Sequence, residues 1–219
     1  MICIVVARKN SKRLKNKNKM LFGNNTLIEK TIETALKIKQ IDDILLSTDD
    51  EDIINIAKKY DIICPWKRPA YLSGSKAKTE DVIMHAVKWY EINIRKISNI
   101  IIFQPTSPFR NLTLIKKSIN KYLNLKSKFP VIGISPEIYL KSKKNLYSIE
   151  NNYLINKSLN LNRKKYFING NLYIISKKLL FQTNKIVNFP AIPALNKSIK
   201  YSIDIDTIDD FRFALKFIK

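Results

Sequence analysis

The sequence predicts an α/β fold in which a mainly parallel sheet is sandwiched by helices. Short runs rich in isoleucine and valine alternate with segments of helical periodicity along the chain. Several of these runs are apolar throughout, which is typical of strands buried on both faces. The connections between them are short, as in successive βαβ units. The length of 219 residues suits one domain, covering residues 1–219.

The first half of the chain gives the clearest elements. Residues 2–7, ICIVVA, predict a buried strand. Residues 26–38 predict a helix, because five apolar side chains share one face: Leu27, Ile28, Ile32, Ala35 and Leu36. Residues 42–48 predict a second strand, and residues 51–60 a helix whose N-terminus favours the acidic pair Asp49 and Asp50.

The later elements continue this alternation. We predict strands at 61–64, 99–103 and 130–135, and helices at 79–92, capped by Thr79, and at 111–123. After Ser135 the rhythm changes, and the polar residues 136–166 predict an inserted hairpin or subdomain. The main pattern returns with strands at 171–175 and 201–206 and a closing helix from Thr207.

The composition argues against a membrane protein, a secreted protein and a thiolate zinc site, and it gives only weak support to nucleic-acid binding. The net charge of +22 is compatible with a nucleic-acid-binding protein, but the lysines are spread over every predicted helix instead of one face. No apolar run approaches the roughly 20 residues of a membrane helix, and no signal-peptide core is recognisable, so we expect a soluble, cytoplasmic protein. Two isolated cysteines and a single histidine, His85, argue against a thiolate zinc site.

Polar loops follow the predicted strands. In open α/β sheets, ligands bind beyond the carboxyl ends of the strands. The first such loop, ARKNSKRLKNKN, offers four cations suited to a triphosphate: Arg8, Lys12, Arg13 and Lys17. A solvated lysine-rich loop explains the same residues equally well. Further loops at 65–81 and 104–110 would line the same crevice.

The DID stretch carries a different signal. In a strand, Asp204 and Asp206 would project to the same side, next to the basic loops. Two carboxylates suit Mg²⁺, which is commonly held by one or two carboxylates and substrate phosphates. Alternatively, Asp206 or Thr207 caps the closing helix.

These loops together resemble those of the acylneuraminate cytidylyltransferases, the CMP-sialic acid and CMP-legionaminic acid synthetases. The resemblance rests on five motifs in order across nearly the whole chain: ARKNSKRLKNKN, KRPAYLS, QPTSPFR, NGNLYI and SIDIDT. It implies a Rossmann-like nucleotidyltransferase with a dimerisation subdomain, here 136–166, and hence a homodimer. It also implies CTP, a nonulosonic acid and Mg²⁺ as the molecules bound.

The resemblance also implies roles for individual residues. Arg8, Lys17 and Asp206 would be catalytic, with Asp204 and Asp206 binding the metal. Nucleotide contacts would come from the basic loop and two later positions: Arg8, Lys12, Lys17, Asn18, Arg68 and Thr79. Sugar contacts would come from Gln104, Lys141, Arg163 and Asn169. In this interpretation Lys9, Lys15 and Lys19 are solvated background charge.

Three functions remain open at this stage. The first is transfer of CMP to N-acylneuraminate or legionaminate, and the second is the same reaction on pseudaminate or an octulosonate. The third is nucleic-acid binding, which would show a steep dependence on salt.

Overall fold

The computed structural model describes residues 1–9, 11, 13–140, 145–156 and 164–218. Its strands are β1 (Ile2–Ala7), β2 (Leu21–Phe22), β3 (Asn25–Thr26), β4 (Asp43–Thr48), β5 (Asn99–Phe103), β6 (Val131–Pro136), β7 (Ser148–Glu150), β8 (Tyr153–Ile155), β9 (Tyr166–Ser176) and β10 (Ile192–Leu195). Its α-helices are α1 (Leu27–Leu36), α2 (Glu51–Lys59), α3 (Thr79–Asn93), α4 (Leu112–Asn124), α5 (Lys177–Thr183) and α6 (Ile208–Leu215).

The central sheet has six strands in the order β10-β6-β9-β5-β1-β4. The pairs β1–β4, β1–β5 and β10–β6 are parallel, and β9 runs antiparallel between β5 and β6. This confirms the predicted α/β class with its mainly parallel sheet. The carboxyl ends of β1, β4 and β5 therefore lie at the same edge, where the polar loops begin.

Alternation of side chains explains why helices cover both faces of the sheet. In β1, Cys3 and Val5 pack into one core cluster, while Ile2 and Ile4 pack into the other. Helices α1, α2 and α4 contribute to the first cluster, and α3 and α5 to the second. Since successive strand residues point to opposite faces, a continuous apolar run requires this double cover.

Helix boundaries follow local capping chemistry. Thr26 and Thr207 each form a capping box at the start of α1 and α6, and Asp50 caps α2. The prediction that Thr79 caps α3 is wrong: Thr79 is the first helical residue, and Lys78 stands at the cap without a side-chain bond. Leu36 is also not part of the buried face, since it is 55% exposed at the end of α1.

Two other predictions are corrected by the structure, and two elements have no counterpart among the predictions. Residues 61–64 form only an isolated parallel bridge, Leu45 with Ile63. Residues 201–206 contain no strand; a 3-10 turn, Ile199–Ser202, leads into an irregular segment. Neither β10 nor α5 was expected from the sequence pattern, because both are short and interrupted by polar residues or proline.

The described part of the inserted region contains a hairpin. Strands β7 and β8 pair antiparallel around Asn151 and Asn152, which both adopt positive φ, as a two-residue hairpin turn requires. Leu154 bridges to Ala191, which attaches the hairpin to the β10 side of the molecule. Among the described residues, no helix is long and apolar enough to cross a membrane.

Candidate active site

Four segments meet beyond the carboxyl ends of the parallel strands. They enclose a cavity of about 670 Å³. Its polar lining comes from the basic loop after β1, the segment before α3, the loop after β5 and the segment before α6: Arg8, Ser11, Arg13, Lys17, Asn18, Arg68, Ser75, Thr79, Gln104, Thr106, Asp204 and Asp206. The structure thus brings together most of the residues that the sequence singled out.

The basic loop is held against the acidic segment by two ion pairs. The buried Lys17 places Nζ 3.0 Å from Asp206 Oδ1, and Arg13 places Nη2 2.6 Å from Asp206 Oδ2. A 3-10 turn, Lys17–Lys19, sets the direction of the Lys17 side chain. These two cations and Arg8 border the same cavity, as binding of a polyphosphate requires.

Two residues of this loop have structural contacts of their own. Asn18 is buried, and its amide donates to the carbonyl of Arg8 over 3.1 Å, so it fixes the shape of the loop while lining the cavity. Lys19 is not solvated background charge: its Nζ lies 3.1 Å from an Asp50 oxygen and 2.5 Å from an Asp52 oxygen. It therefore ties the loop to the start of α2. Lys12 lies outside the described residues.

Arg68 is a buried cation whose hydrogen bonds are incomplete. The residue is 6% exposed, and its backbone N–H donates to Thr48 O over 2.7 Å. Its Nη2 lies 3.5 Å from Asp49 Oδ1, yet among the described residues Nε and Nη2 have no hydrogen-bond acceptor. Burial lowers the pKa of Arg68, and Asp49 opposes that effect. Buried donors are rarely left unsatisfied, and Arg68 lies on the cavity wall, so we expect a bound ligand to accept hydrogen bonds from these N–H groups.

Asp49 is a residue that the sequence reasoning did not select. It was assigned to the start of α2, but only Asp50 caps that helix. Asp49 instead accepts the backbone N–H of Lys9 over 2.8 Å and pairs with Arg68. The rule about carboxyl ends could have found it, because Asp49 directly follows β4.

The loop after β5 presents Gln104 to the cavity, and Arg110 fixes that loop from behind. Arg110 Nη2 donates to Gln104 O over 2.6 Å, and its Nε donates to Asn171 O over 3.2 Å. Arg110 thus supports the wall of the cavity instead of lining it.

The other proposed sugar residues have different surroundings. Asn169 is fully buried, and its amide donates to Ser135 Oγ over 2.9 Å and accepts the N–H of Asn171 over 3.2 Å. It lies directly behind the Gln104 loop, since Ser107 Oγ donates to its carbonyl. Lys141 and Arg163 lie outside the described residues.

The acidic pair lies at the junction of two cavities. Although residues 203–206 form no strand, Ile203 and Ile205 are buried while Asp204 and Asp206 line the cavity, so the expected alternation is retained. A second cavity of about 290 Å³ lies on the other side, bounded by aromatic, apolar and hydroxyl groups and by Asp210. It shares Arg13, Asp204 and Asp206 with the first cavity.

The two carboxylates of the acidic pair face the larger cavity. Thr207 and Asp210 form the capping box of α6, which leaves the Asp206 side chain directed to the cations and not to the cap. Within the described residues, no group of three or more acidic, histidine or cysteine side chains is suited to hold a metal. Two carboxylates alone suit Mg²⁺, which completes its shell with water and substrate phosphates.

Comparison with known proteins identifies the family. The model of the cytidylyltransferase family matches residues 2–217. The chain is a member of the cytidylyltransferase family. It is 30% identical to the CMP-N,N'-diacetyllegionaminic acid synthase of Legionella pneumophila over 231 residues, covering 100% of this chain and 96% of that protein. It is 29% identical to the pseudaminic acid cytidylyltransferase of Campylobacter jejuni, covering 97% and 94%. The resemblance noted in the sequence is thereby confirmed.

Solved structures of cytidylyltransferases support the fold. The CMP:2-keto-3-deoxy-manno-octonic acid synthetase, solved with CTP, superposes with a TM-score of 0.74 and covers 98% of this chain and 96% of its own. At 11% identity this likeness concerns the fold alone. The cytidylyltransferase family membership makes this chain a CTP-dependent nucleotidyltransferase, as the sequence predicted.

Proposed function

We propose that this protein transfers CMP from CTP to the anomeric hydroxyl of a sialic-acid-like nonulosonate, releasing pyrophosphate. The hydroxyl oxygen bonds to the α-phosphorus as the bond to the β-phosphate oxygen breaks. The observation that carries the proposal is the meeting of two cavities, one cationic and one of mixed polarity, at the carboxylates of Asp204 and Asp206. The reacting atoms of two substrates would meet at that junction.

The larger cavity has the charges that a nucleoside triphosphate needs. Arg8, Arg13 and Lys17 would neutralise the charge that develops on the phosphorus and on the departing pyrophosphate. Arg68 would donate its two unsatisfied N–H groups to the nucleotide. Thr79 begins the 15-residue helix α3 at the same wall, where free backbone N–H groups favour anions.

The acidic pair would serve both the metal and the second substrate. A bound Mg²⁺ would supply charge stabilisation at the phosphates, and Asp204 and Asp206 would hold it. Asp206, one third exposed, would also orient the anomeric hydroxyl and accept its proton at a carboxylate oxygen. Gln104 would contact the sugar from the opposite wall, with Asn169 supporting that wall from behind.

The experiment is an assay of pyrophosphate release with CTP, Mg²⁺ and a panel of nonulosonates, with the CMP-sugar product detected by mass. Release with N-acylneuraminate or legionaminate is the expected outcome. A folded sample that binds CTP but releases no pyrophosphate with any sugar acid would overturn the proposal. ATP, UTP and GTP serve as nucleotide controls.

A second candidate is the same reaction on pseudaminate. It is favoured by the 29% identity, over nearly the full length, to a pseudaminic acid cytidylyltransferase, only one percentage point below the legionaminic acid relative. The same panel separates the candidates by their kcat/KM ratios.

The proposed assembly is a homodimer formed in the cytoplasm, where CTP is available. Its support is the hairpin β7–β8 within the inserted region 136–166, together with Ile138, which is 84% exposed beside the second cavity residues Tyr139 and Leu140. Light scattering during size-exclusion chromatography would report the mass. A monomer of 25.5 kDa at assay concentration would contradict the dimer.

A further inference from the structure

The segment that carries the acidic pair lacks a strand to hold it. Within the described ranges, residues 203–206 have no ladder partner, and a backbone bond from Ile205 N–H to Thr106 O over 2.8 Å joins them to the loop after β5. The positions of the two carboxylates therefore depend on hydrogen bonds from neighbouring segments. Both carboxylates must lie close to the metal and the triphosphate. A strict placement matters, because a displacement of about 1 Å can cost on the order of 100-fold in rate.

Asn171 is bonded to both segments that form this part of the site. It lies on β9 and is 3% exposed. Its side-chain Nδ2 donates to Tyr201 O over 2.9 Å, three residues before Asp204. Its own carbonyl accepts from Arg110 Nε, and Arg110 in turn holds Gln104 O. One buried residue thus links the start of the acidic segment to the loop that presents Gln104.

The space around Asn171 is built for an amide. Gly133 on β6 lies opposite, and a Cβ at that position would collide with Asn171 Oδ1 and would lie 2.8 Å from Asn169 Oδ1. The β6–β9 register shifts between Ile132 and Ile134, at the same place. The absence of a side chain at Gly133 therefore makes room for the two amides inside the sheet.

We propose that Asn171 is a positioning residue, which sets the acidic pair at the distance from the Gln104 loop that metal binding and CMP transfer require. The proposal rests on the function proposed above, and it goes beyond the sequence-predicted site, which did not include Asn171. Removing the amide donor breaks the bond to the Tyr201 carbonyl and loosens the segment that leads to Asp204. We expect the fold to be retained, because Asn171 lies between the paired positions Ile168 and Tyr173 of β9 and contributes no rung to the β6–β9 ladder.

Two variants and a matched control test this role. Asn171→Ala removes the amide, and Asn171→Asp keeps its shape but loses the donor. Asn196→Ala is the control, since Asn196 is equally buried at 3% exposure and lines neither cavity. The primary readout is binding of Mn²⁺ to the protein in the presence of CTP without sugar, followed by water-proton relaxation, which protein-bound Mn²⁺ enhances above the level of the Mn²⁺–CTP complex in solution. Thermal unfolding is recorded for each protein.

We expect the Kd for Mn²⁺ to rise about tenfold or more in both Asn171 variants and to stay unchanged in the control. In turnover, kcat should fall by about 10–100-fold, with KM for CTP within about threefold, as expected for misplaced reacting groups. Variants that bind Mn²⁺ as the wild type does would overturn the proposal, whatever their melting temperature. Because metal binding is measured without sugar, failure of every sugar acid in the panel would refute the proposed function and leave this test standing.

Discussion

Replacement of Arg68 by methionine should affect nucleotide binding and stability in opposite directions. The guanidinium is buried, and its Nε and Nη2 have no hydrogen-bond acceptor within the described part of the chain. A buried donor without a partner costs about 1–3 kcal/mol, so its removal relieves the free protein of that cost. Asp49 would not become a buried charge without a partner, since its side chain is 17% exposed and still accepts a hydrogen bond from the backbone N–H of Lys9 over 2.8 Å.

In the nucleotide complex the same substitution removes the hydrogen bonds that Arg68 would donate to CTP. A hydrogen bond from a charged donor contributes about 1.5–3 kcal/mol, and Arg68 offers two such donors to the cavity. A net loss of about 2–3 kcal/mol corresponds to a rise of about 30–150-fold in the Kd for CTP. For a chain of this size, about 1 kcal/mol of added stability raises Tm by about 2–4 °C, so the free variant should be at least as stable as the wild type.

The assay is calorimetric titration with CTP and Mg²⁺ in the absence of sugar, combined with thermal unfolding of the free protein. Arg212→Met is the matched control, because Arg212 is exposed and its one ion pair among the described residues is with Asp209 on its own helix. It should alter neither quantity. A variant at position 68 that melts well below the wild type while binding CTP normally would refute the reasoning, since Arg68 would then be a structural cation.

Three further predictions concern other parts of the molecule. Asp206→Asn should lower kcat by about 10²–10³-fold in the pyrophosphate assay, as for loss of one group that stabilises charge; an unchanged kcat would remove Asp206 from its role. Thr207→Ala removes the cap of α6 and should lower the free energy of unfolding, measured by urea titration, by about 0.5–2 kcal/mol. Thr183→Ala should lower it less, because the half-buried Thr183 is not a helix N-cap and its hydroxyl donates to Leu179 O within α5. Alkaline pH should destabilise the fold, because burial raises the pKa of Cys3 from 9.0 to about 12 and that of Tyr122 from 10.0 to about 12. The unfolded chain therefore releases these protons at lower pH than the folded chain, and the free energy of unfolding falls as pH rises above about 9. A urea midpoint that stays constant between about pH 8 and 11 would contradict this.

Much of the fold could be predicted because buried strands leave a strong pattern. The runs that form β1, β4 and β5 are apolar on both faces, and Thr26 and Asp50 are local caps that need no tertiary partner. The short β10 contains Pro193 and depends on pairing with β6, which no local pattern indicates. The 201–206 stretch alternates like a strand, but it packs against the loop after β5 and finds no ladder.

The candidate site also has features that the sequence predicts and features that it does not. The rule about carboxyl ends placed the basic loop and Gln104 in one crevice, since that depends on topology alone, whereas the acidic pair lies there without the strand that the sequence predicts. It did not show that Asp206 pairs with Arg13 and Lys17, or that Asn169 and Asn171 occupy the space over Gly133. Those contacts depend on side-chain directions and on a shift of register within β9, which are set only when distant segments pack.

The position of β9 has a consequence for how the chain is made. β9 separates β5 from β6, so the two halves of the sheet, β4-β1-β5 and β6-β10, are joined only through residues 166–176. A chain growing from its N-terminus carries the paired strands β4, β1 and β5 with an unpaired edge on β5 until that segment has been synthesised. An open parallel edge of isoleucine and phenylalanine is a template for pairing with other chains. Fragments that end before residue 176 should therefore aggregate during expression.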